Sequence, residues 1–122
     1  MPQRILLVDD DEPTRELFAR LLAQRGYQVA EAGNGRTALE QMQQKPAELV
    51  ITDMIMPEMD GMEFVVALRR VYPGVKIIAM AESGLGPAEN SLKIARALGA
   101  HKTLVKPLDP EQLISAVQEV LG

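Results

Sequence analysis

Three stretches of the 122-residue chain place charged residues directly behind short apolar runs. Asp9-Asp10-Asp11-Glu12 follows Ile5 to Val8, Asp53 follows Glu48 to Thr52, and Lys106-Pro107 follows Lys102 to Val105. Neighbouring strands of a sheet lie about 4.8 Å apart. If these runs are strands of one parallel sheet, Asp9, Asp10, Asp53 and Lys106 share a single edge of it. Carboxylates crowded together either raise one another's pKa or hold a cation. All-oxygen donors select a hard divalent ion, and Mg²⁺ is favoured because it accepts a few carboxylates together with water and phosphate oxygens. A carboxylate is also a nucleophile toward phosphorus, giving an aspartyl phosphate. Mg²⁺ and Lys106 would then neutralise the phosphoryl oxygens as charge shifts.

Each residue alone has a plainer reading. Acids before a helix cap it and complement its dipole, and Asp11 or Glu12 is expected to do so. A lone Asp53 would be a turn residue, and a lone Lys106 a solvated charge. Their coincidence at one sheet edge favours a site. A Lys106-Pro107 bond in the cis form would aim the lysine inward, and the alternative is an ordinary trans turn proline.

The elements that must position these residues alternate about five times between short apolar runs and longer amphipathic segments. Ile5 to Val8 is uniformly apolar, as a strand covered on both faces would be. Pro13 suits the first turn of a helix, Leu17, Phe18, Leu21 and Leu22 recur at helical spacing, and Gly26 stops it. Tyr27 to Ala32 alternates in the manner of an edge strand. Asn34-Gly35 is a turn before a helix over Arg36 to Gln44. Glu48 to Thr52 is a buried strand. Asp60 and Glu63 have capping-box spacing ahead of Phe64, Val65 and Leu68. Lys76 to Ala81 is a further strand, a glycine-broken loop follows over Ser83 to Gly86, and a helix runs from Pro87 to near Gly99. Lys102 to Val105 is the last strand. Asp109-Pro110 opens a terminal helix carrying Leu113, Val117 and Leu121. Repeated strand–helix units with short loops imply an α/β fold with a parallel sheet and helices on both faces, its ligands bound beyond the carboxyl ends of the strands.

Length fits one domain, residues 1–122, with no linker or repeat. Hydrophobic residues are 47%, charged residues 25% and aromatics 3%, so Leu, Ile, Val, Ala and Met must build the core. The net charge of −4 argues against a nucleic-acid surface. With no cysteine, disulfides, thiolate catalysis and zinc–sulfur sites are excluded. The first apolar run is too short for a signal peptide and no stretch could span a bilayer, so the expected location is cytoplasmic, with no membrane partner.

Ile5-Leu6-Leu7-Val8-Asp9-Asp10, then Asp53-Met54-Ile55-Met56-Pro57-Glu58-Met59-Asp60-Gly61, then Lys106-Pro107 closely resemble the receiver domain of two-component response regulators. The resemblance covers essentially the whole chain. It implies a doubly wound five-stranded parallel sheet in order 2-1-3-4-5, a flavodoxin-like three-layer sandwich. It implies that Asp53 accepts a phosphoryl group from a sensor histidine kinase or phosphotransfer protein. It also implies that Asp10, Asp53 and the backbone carbonyl of Ile55 ligate Mg²⁺, that Asp9 acts through water, and that Lys106 pairs with the phosphate. Pro57 and Gly61 would shape the loop after Asp53, and Asp60 would cap the next helix. Receivers signal to an effector, or dimerise, through the face formed by the fourth helix, fifth strand and fifth helix. A receiver is expected to make one stoichiometric adduct with no multiple-turnover activity, and no output domain is expected within residues 1–122.

The chain departs from the family pattern at two positions. Ala81 stands where receivers carry Thr or Ser at the end of the fourth strand, and Thr103 stands where many carry an aromatic residue in the fifth. The Ser83 hydroxyl, or a nest of backbone N–H groups over Glu82 to Gly84, would be the substitute phosphate contact. Adding roughly two negative charges must bias a bistable element to signal, so the conformational readout is expected to be atypical. Ile55 lies two positions past the phosphoacceptor and cannot orient water, which implies slow self-dephosphorylation.

Other readings are weaker. His101 reads as a surface residue rather than a phosphocarrier, Arg69-Arg70 as a solvated helix face, and Met54, Met56, Met59 and Met62 as core and loop packing. A haloacid-dehalogenase-type phosphatase also uses an aspartyl phosphate, but its Asp-x-Asp pattern continues with Gly-Thr where this chain has Glu12-Pro13. A flavin carrier of similar fold needs a phosphate cradle that four acids would repel. A receiver-like interaction module that is never phosphorylated fits Ala81 and Thr103 but not the acid pocket.

Overall fold

The computed structural model describes residues 2–56, 58–82 and 87–122. Five strands alternate with five helices: β1 (Arg4–Val8), α1 (Glu12–Gln24), β2 (Gln28–Ala32), α2 (Gly35–Gln44), β3 (Leu49–Asp53), α3 (Gly61–Val71), β4 (Lys76–Glu82), α4 (Pro87–Ala97), β5 (Lys102–Lys106) and α5 (Pro110–Leu121). All strand pairings are parallel, in the order β2-β1-β3-β4-β5. This is the α/β arrangement that the resemblance implied. Strands β3, β4 and β5 each run one residue further than the apolar pattern suggested, because the ladder continues into Asp53, Glu82 and Lys106.

Side chains alternate across the sheet and make two cores. Leu6, Val8, Val50, Ile77 and Ala79 face Ala38 and Met42 of α2, Phe64, Val65 and Leu68 of α3, and Leu92 and Ala95 of α4. Ile5, Leu7, Leu49, Ile51, Ile78 and Met80 face Phe18 and Leu22 of α1 and Leu113, Ile114 and Val117 of α5. Burying each of the Val, Leu, Ile, Phe and Met side chains contributes about 1.5–3 kcal/mol. The continuous apolar runs of β1 and β3 are the strands covered on both faces, while β2, with its polar alternation, lies at an edge. Leu17 departs from its expected core role, being 49% exposed. Phe18 and Leu22 sit one turn apart on the buried face, and Leu17 is rotated about 100° from Phe18.

Polar side chains start the helices as their spacing suggests. Asp11 Oδ2 accepts from Thr14 N at 3.3 Å, Asn34 Oδ1 from Thr37 N at 2.8 Å, and Asp60 Oδ1 from Glu63 N at 2.9 Å. A reciprocal capping box forms at α5, between Asp109 and Gln112. Among the described residues, no helix is long and apolar enough to cross a membrane.

The expectation for Arg69-Arg70 needs correction. Arg70 is exposed, but Arg69 turns back beneath the sheet, donating from Nη1 to the carbonyls of Pro73 and Val75 at 3.0 Å each and from Nη2 to that of Gly99 at 2.5 Å. Its long stem lets the guanidinium reach the loops that enter β4 and β5. His101 is exposed yet helps to hold the sheet edge, because its Nδ1 accepts from Ile77 N at 3.2 Å. Burial, then the charges of Arg69 and Lys76, hold its pKa below the ordinary histidine value. Met54 and Met56 are buried and Met59 packs against the core, as expected, whereas Met62 is 43% exposed.

Candidate functional site

The carboxyl ends of β1, β3 and β5 bring the predicted residues together. Asp9 lies one residue beyond β1, Asp53 ends β3 and Lys106 ends β5. Asp9 is fully buried and Asp53 7% exposed, whereas Asp10 is exposed. One carboxylate oxygen from each of the three lies within 4.8 Å of the others. Lys106 Nζ donates to Asp9 Oδ2 at 2.6 Å and to Asp53 Oδ2 at 2.8 Å. The Lys106-Pro107 peptide is cis.

Backbone groups hold each buried acid in place. Asp53 Oδ1 accepts from Ile55 N at 3.1 Å, and Asp9 Oδ1 accepts from Asp11 N at 3.0 Å. Asp11, by contrast, is spent as the cap of α1, where it also accepts from the Thr14 hydroxyl. Sequence reasoning missed Arg15, which donates from Nη1 to the Asp9 carbonyl at 2.9 Å and from Nε to Glu31 at 3.1 Å, fastening the first loop to β2. The available signal was a basic residue six positions past Asp9 on the first turns of α1.

The charges are unequal, three carboxylates facing one ammonium. Burial raises the Asp53 carboxyl above its ordinary value and the Asp9 charge adds to this, against the lowering pull of Lys106 and the Ile55 N–H. For Lys106, burial favours the neutral amine, but the hydrogen bonds and charges of Asp53 and Asp9 outweigh it and hold its pKa above the ordinary lysine value. Lys106 is therefore a fixed cation at neutral pH, and one ammonium leaves the carboxylates under-neutralised.

The donor set suits Mg²⁺. Ligands of one Mg²⁺ sit 2.0–2.1 Å from it, hence at most about 4.2 Å apart, so the acids need only a small closing movement. The described donors are oxygens, and exposed Asp10 leaves a side open to water.

Ser83 and Pro57 lie outside the described residues, as does Gly84 of the supposed N–H nest. Ala81 is fully buried and packs in the α2–α4 core. Ile55 is 51% exposed, and its N–H serves Asp53. Thr103 accepts a hydrogen bond at its hydroxyl from Arg96 Nη2, tying β5 to α4. Gly61 is required by close approach: a Cβ there would meet Met54 Cα at 2.4 Å and the Asp53 carbonyl oxygen at 2.9 Å.

This fold and rim of charge coincide with a known family. Residues 5–118 match the response regulator receiver domain. The response regulator receiver protein CpdR of Brucella abortus is 33% identical over 122 residues, covering 98% of this chain and 97% of that protein. The chemotaxis protein CheY of Thermotoga maritima is 33% identical over 121 residues, covering 98% of each. The crystal structure of Vibrio cholerae chemotaxis protein CheY4 superposes with a TM-score of 0.88 at 34% identity, over 98% of this chain and 99% of that one. The chain belongs to the response regulator receiver domain family, whose members serve two-component signalling and are generally phosphorylated on aspartate and bind Mg²⁺. In some longer relatives the chain covers only part of the protein, 26% of a transcriptional regulatory protein and 12% of a sensor kinase.

Proposed function

We propose that residues 1–122 form one receiver domain that takes a phosphoryl group on Asp53 from a phosphohistidine of a sensor histidine kinase or phosphotransfer protein. The observation that carries this reading is the hydrogen bonding of one buried ammonium, Lys106, to both Asp53 and Asp9. A carboxylate oxygen of Asp53 attacks phosphorus, the N–P bond of the donor breaks with its electron pair left on the imidazole, and that ring takes up a proton. Lys106 donates to a phosphoryl oxygen throughout, and the Ile55 N–H fixes the acceptor carboxylate. Asp10 and Asp53, with the Ile55 carbonyl and with Asp9 through water, would hold Mg²⁺. When bound, the ion supplies the positive charge that lets an anion be attacked by an anion.

One stoichiometric adduct is expected, without multiple turnover. The domain acts in the cytoplasm, with an effector or a second copy engaging the α4-β5-α5 face, where Ile94 and Val105 are 39% and 50% exposed. Because Ala81 has no hydroxyl to follow the phosphate, the readout runs by another route than in most receivers. A Ser83 contact remains the proposed substitute. The test is incubation with acetyl phosphate and Mg²⁺, read by intact mass. One added phosphoryl group is expected on the wild type and none on Asp53→Asn. An unmodified wild type under conditions that load a control receiver would instead favour the interaction module that Ala81 and Thr103 allow.

A further inference from the structure

The outward face of α3 carries apolar surface that the fold does not use. Having buried Phe64, Val65 and Leu68, the helix still presents Met62 at 43% and Val66 at 39% exposure. Met59, Met62, Glu63, Val66, Ala67 and Arg70 line a shallow groove of about 430 Å³. Among the described residues neither Glu63 nor Arg70 has an ion-pair partner. They stand seven positions apart, two turns within about 20°, so acid and base share one line along the helix with Val66 and Ala67 midway.

That order of groups is complementary to itself when reversed. We propose that α3 is a homodimer contact in which a second copy of this chain packs its own α3 antiparallel across the groove, about a two-fold axis between Val66 and Ala67. Glu63 then lies opposite Arg70 of the second copy and Arg70 opposite its Glu63, the doubling that an isologous interface requires. Val66 meets its own copy beside the axis, and the small side chain of Ala67 lets the backbones approach. Met59 and Met62 cover the aliphatic stem of the opposing arginine. The antiparallel order also sets opposite ends of the two helix dipoles side by side. An unrelated partner would require no such symmetry of charge, which is why a second copy is the occupant.

The patch is small. Stable interfaces bury about 800 Å² per partner, and a single helix stripe buries less, so the dimer is weak and forms between micromolar and millimolar concentration. Burial of Met and Val supplies the affinity, and the exposed charge pairs set register and direction. The contact is separate from the α4-β5-α5 face and leaves that face open.

Sedimentation velocity of the full chain from about 10 μM to about 1 mM tests this. The wild type is expected to shift toward dimer as concentration rises. Glu63→Arg or Arg70→Glu alone sets like charges opposite each other at two places at once and weakens the dimer about tenfold. The double exchange Glu63→Arg with Arg70→Glu restores it, and Val66→Arg abolishes it. These positions are exposed, and circular dichroism melts confirm that each variant folds. A wild type that stays monomeric throughout overturns the proposal. So does an association indifferent to the single reversals or to Val66→Arg, and so does a double exchange as weak as the single changes.

Discussion

The two ends of the sheet each carry a charged cluster, and the two are balanced in opposite ways. At the amino ends of β4 and β5, Arg69 donates to three carbonyls and His101 accepts from the Ile77 N–H. Among the described residues no carboxylate pairs with Arg69, and backbone dipoles take up the guanidinium. At the carboxyl ends of β1, β3 and β5, three carboxylates face one lysine. The first arrangement gathers no surplus of acids: Nη1 and Nη2 of Arg69 are matched to backbone carbonyls, and Nε alone of that guanidinium is buried without a partner among the described residues. The second is open and anionic, and a cation or a phosphoryl group with its metal would complete it. Matched polar groups report on architecture, whereas a buried surplus of one charge reports on a ligand.

The sharpest way to break this comparison is at Asp10. Asp10→Asn removes an exposed carboxylate, the proposed metal ligand, and no side-chain hydrogen bond seen among the described residues, so Mg²⁺ affinity should fall by about tenfold or more while the melting temperature hardly moves. Titration calorimetry with Mg²⁺ measures the first and a thermal melt the second. Equal affinity in the variant would remove Asp10 from the metal site.

Arg69→Met should do the reverse. It takes the charged donor from the carbonyls of Pro73, Val75 and Gly99, of which Val75 is buried, and should cost about 2 kcal/mol of stability, read by urea unfolding, with Mg²⁺ affinity unchanged. If Mg²⁺ binding fell in step, the two ends would not be independent.

Asp53→Asn sharpens the contrast through pH. The folded Asp53 carboxyl titrates above its ordinary value, so the folded state binds the proton more tightly than the unfolded chain. The stability linked to that proton is complete below the unfolded pKa and is lost as pH rises through the raised folded value. Lys106 keeps Asp9 as a partner in the variant. Without Mg²⁺, Asp53→Asn should therefore be more stable than wild type at neutral pH, by about 1 kcal/mol, and the gap should close in acid. Saturating Mg²⁺ should stabilise the wild type more than the variant. A variant less stable at pH 7 in chelator would show that the pocket is not under-neutralised.

The smallest expected effect is at Ile55, half exposed beside Asp53, the proposed acceptor. The phosphorylated wild type should lose its phosphoryl group slowly, and Ile55→Asn, which can orient water, should speed that loss severalfold. A half-life of seconds for the wild type would contradict this.

The architecture was legible where composition left little choice. The all-apolar runs of β1 and β3 could only be strands covered on both faces, and Asp11, Asn34, Asp60 and Asp109 announced the helix starts they cap. The gathering of Asp9, Asp10, Asp53 and Lys106 followed from placing each behind a strand of one parallel sheet. Less was legible where a long side chain chooses between solvent and a distant backbone group. Arg69 and Arg70 are the same residue type in adjacent positions, and only the rotation of α3 sends one beneath the sheet. Leu17 belongs to the same class of error, because apolar spacing marks a helix without saying where its buried face ends. Arg15 escaped notice, and Thr103 was read only as a missing aromatic residue, because their partners, the Asp9 carbonyl and Arg96, are set by tertiary packing.

The missing Cβ of Gly61 has a consequence for how a chemical event at β3 could be felt outside. With Met54 Cα only 2.4 Å from where that carbon would lie, the start of α3 rests directly on the backbone of the acceptor loop, with no compressible side chain between them. Such a joint has little slack: were Asp53 to gain the proposed phosphoryl charge, a displacement of the loop would become a tilt of the helix, and Met62 on its exposed face would move with it.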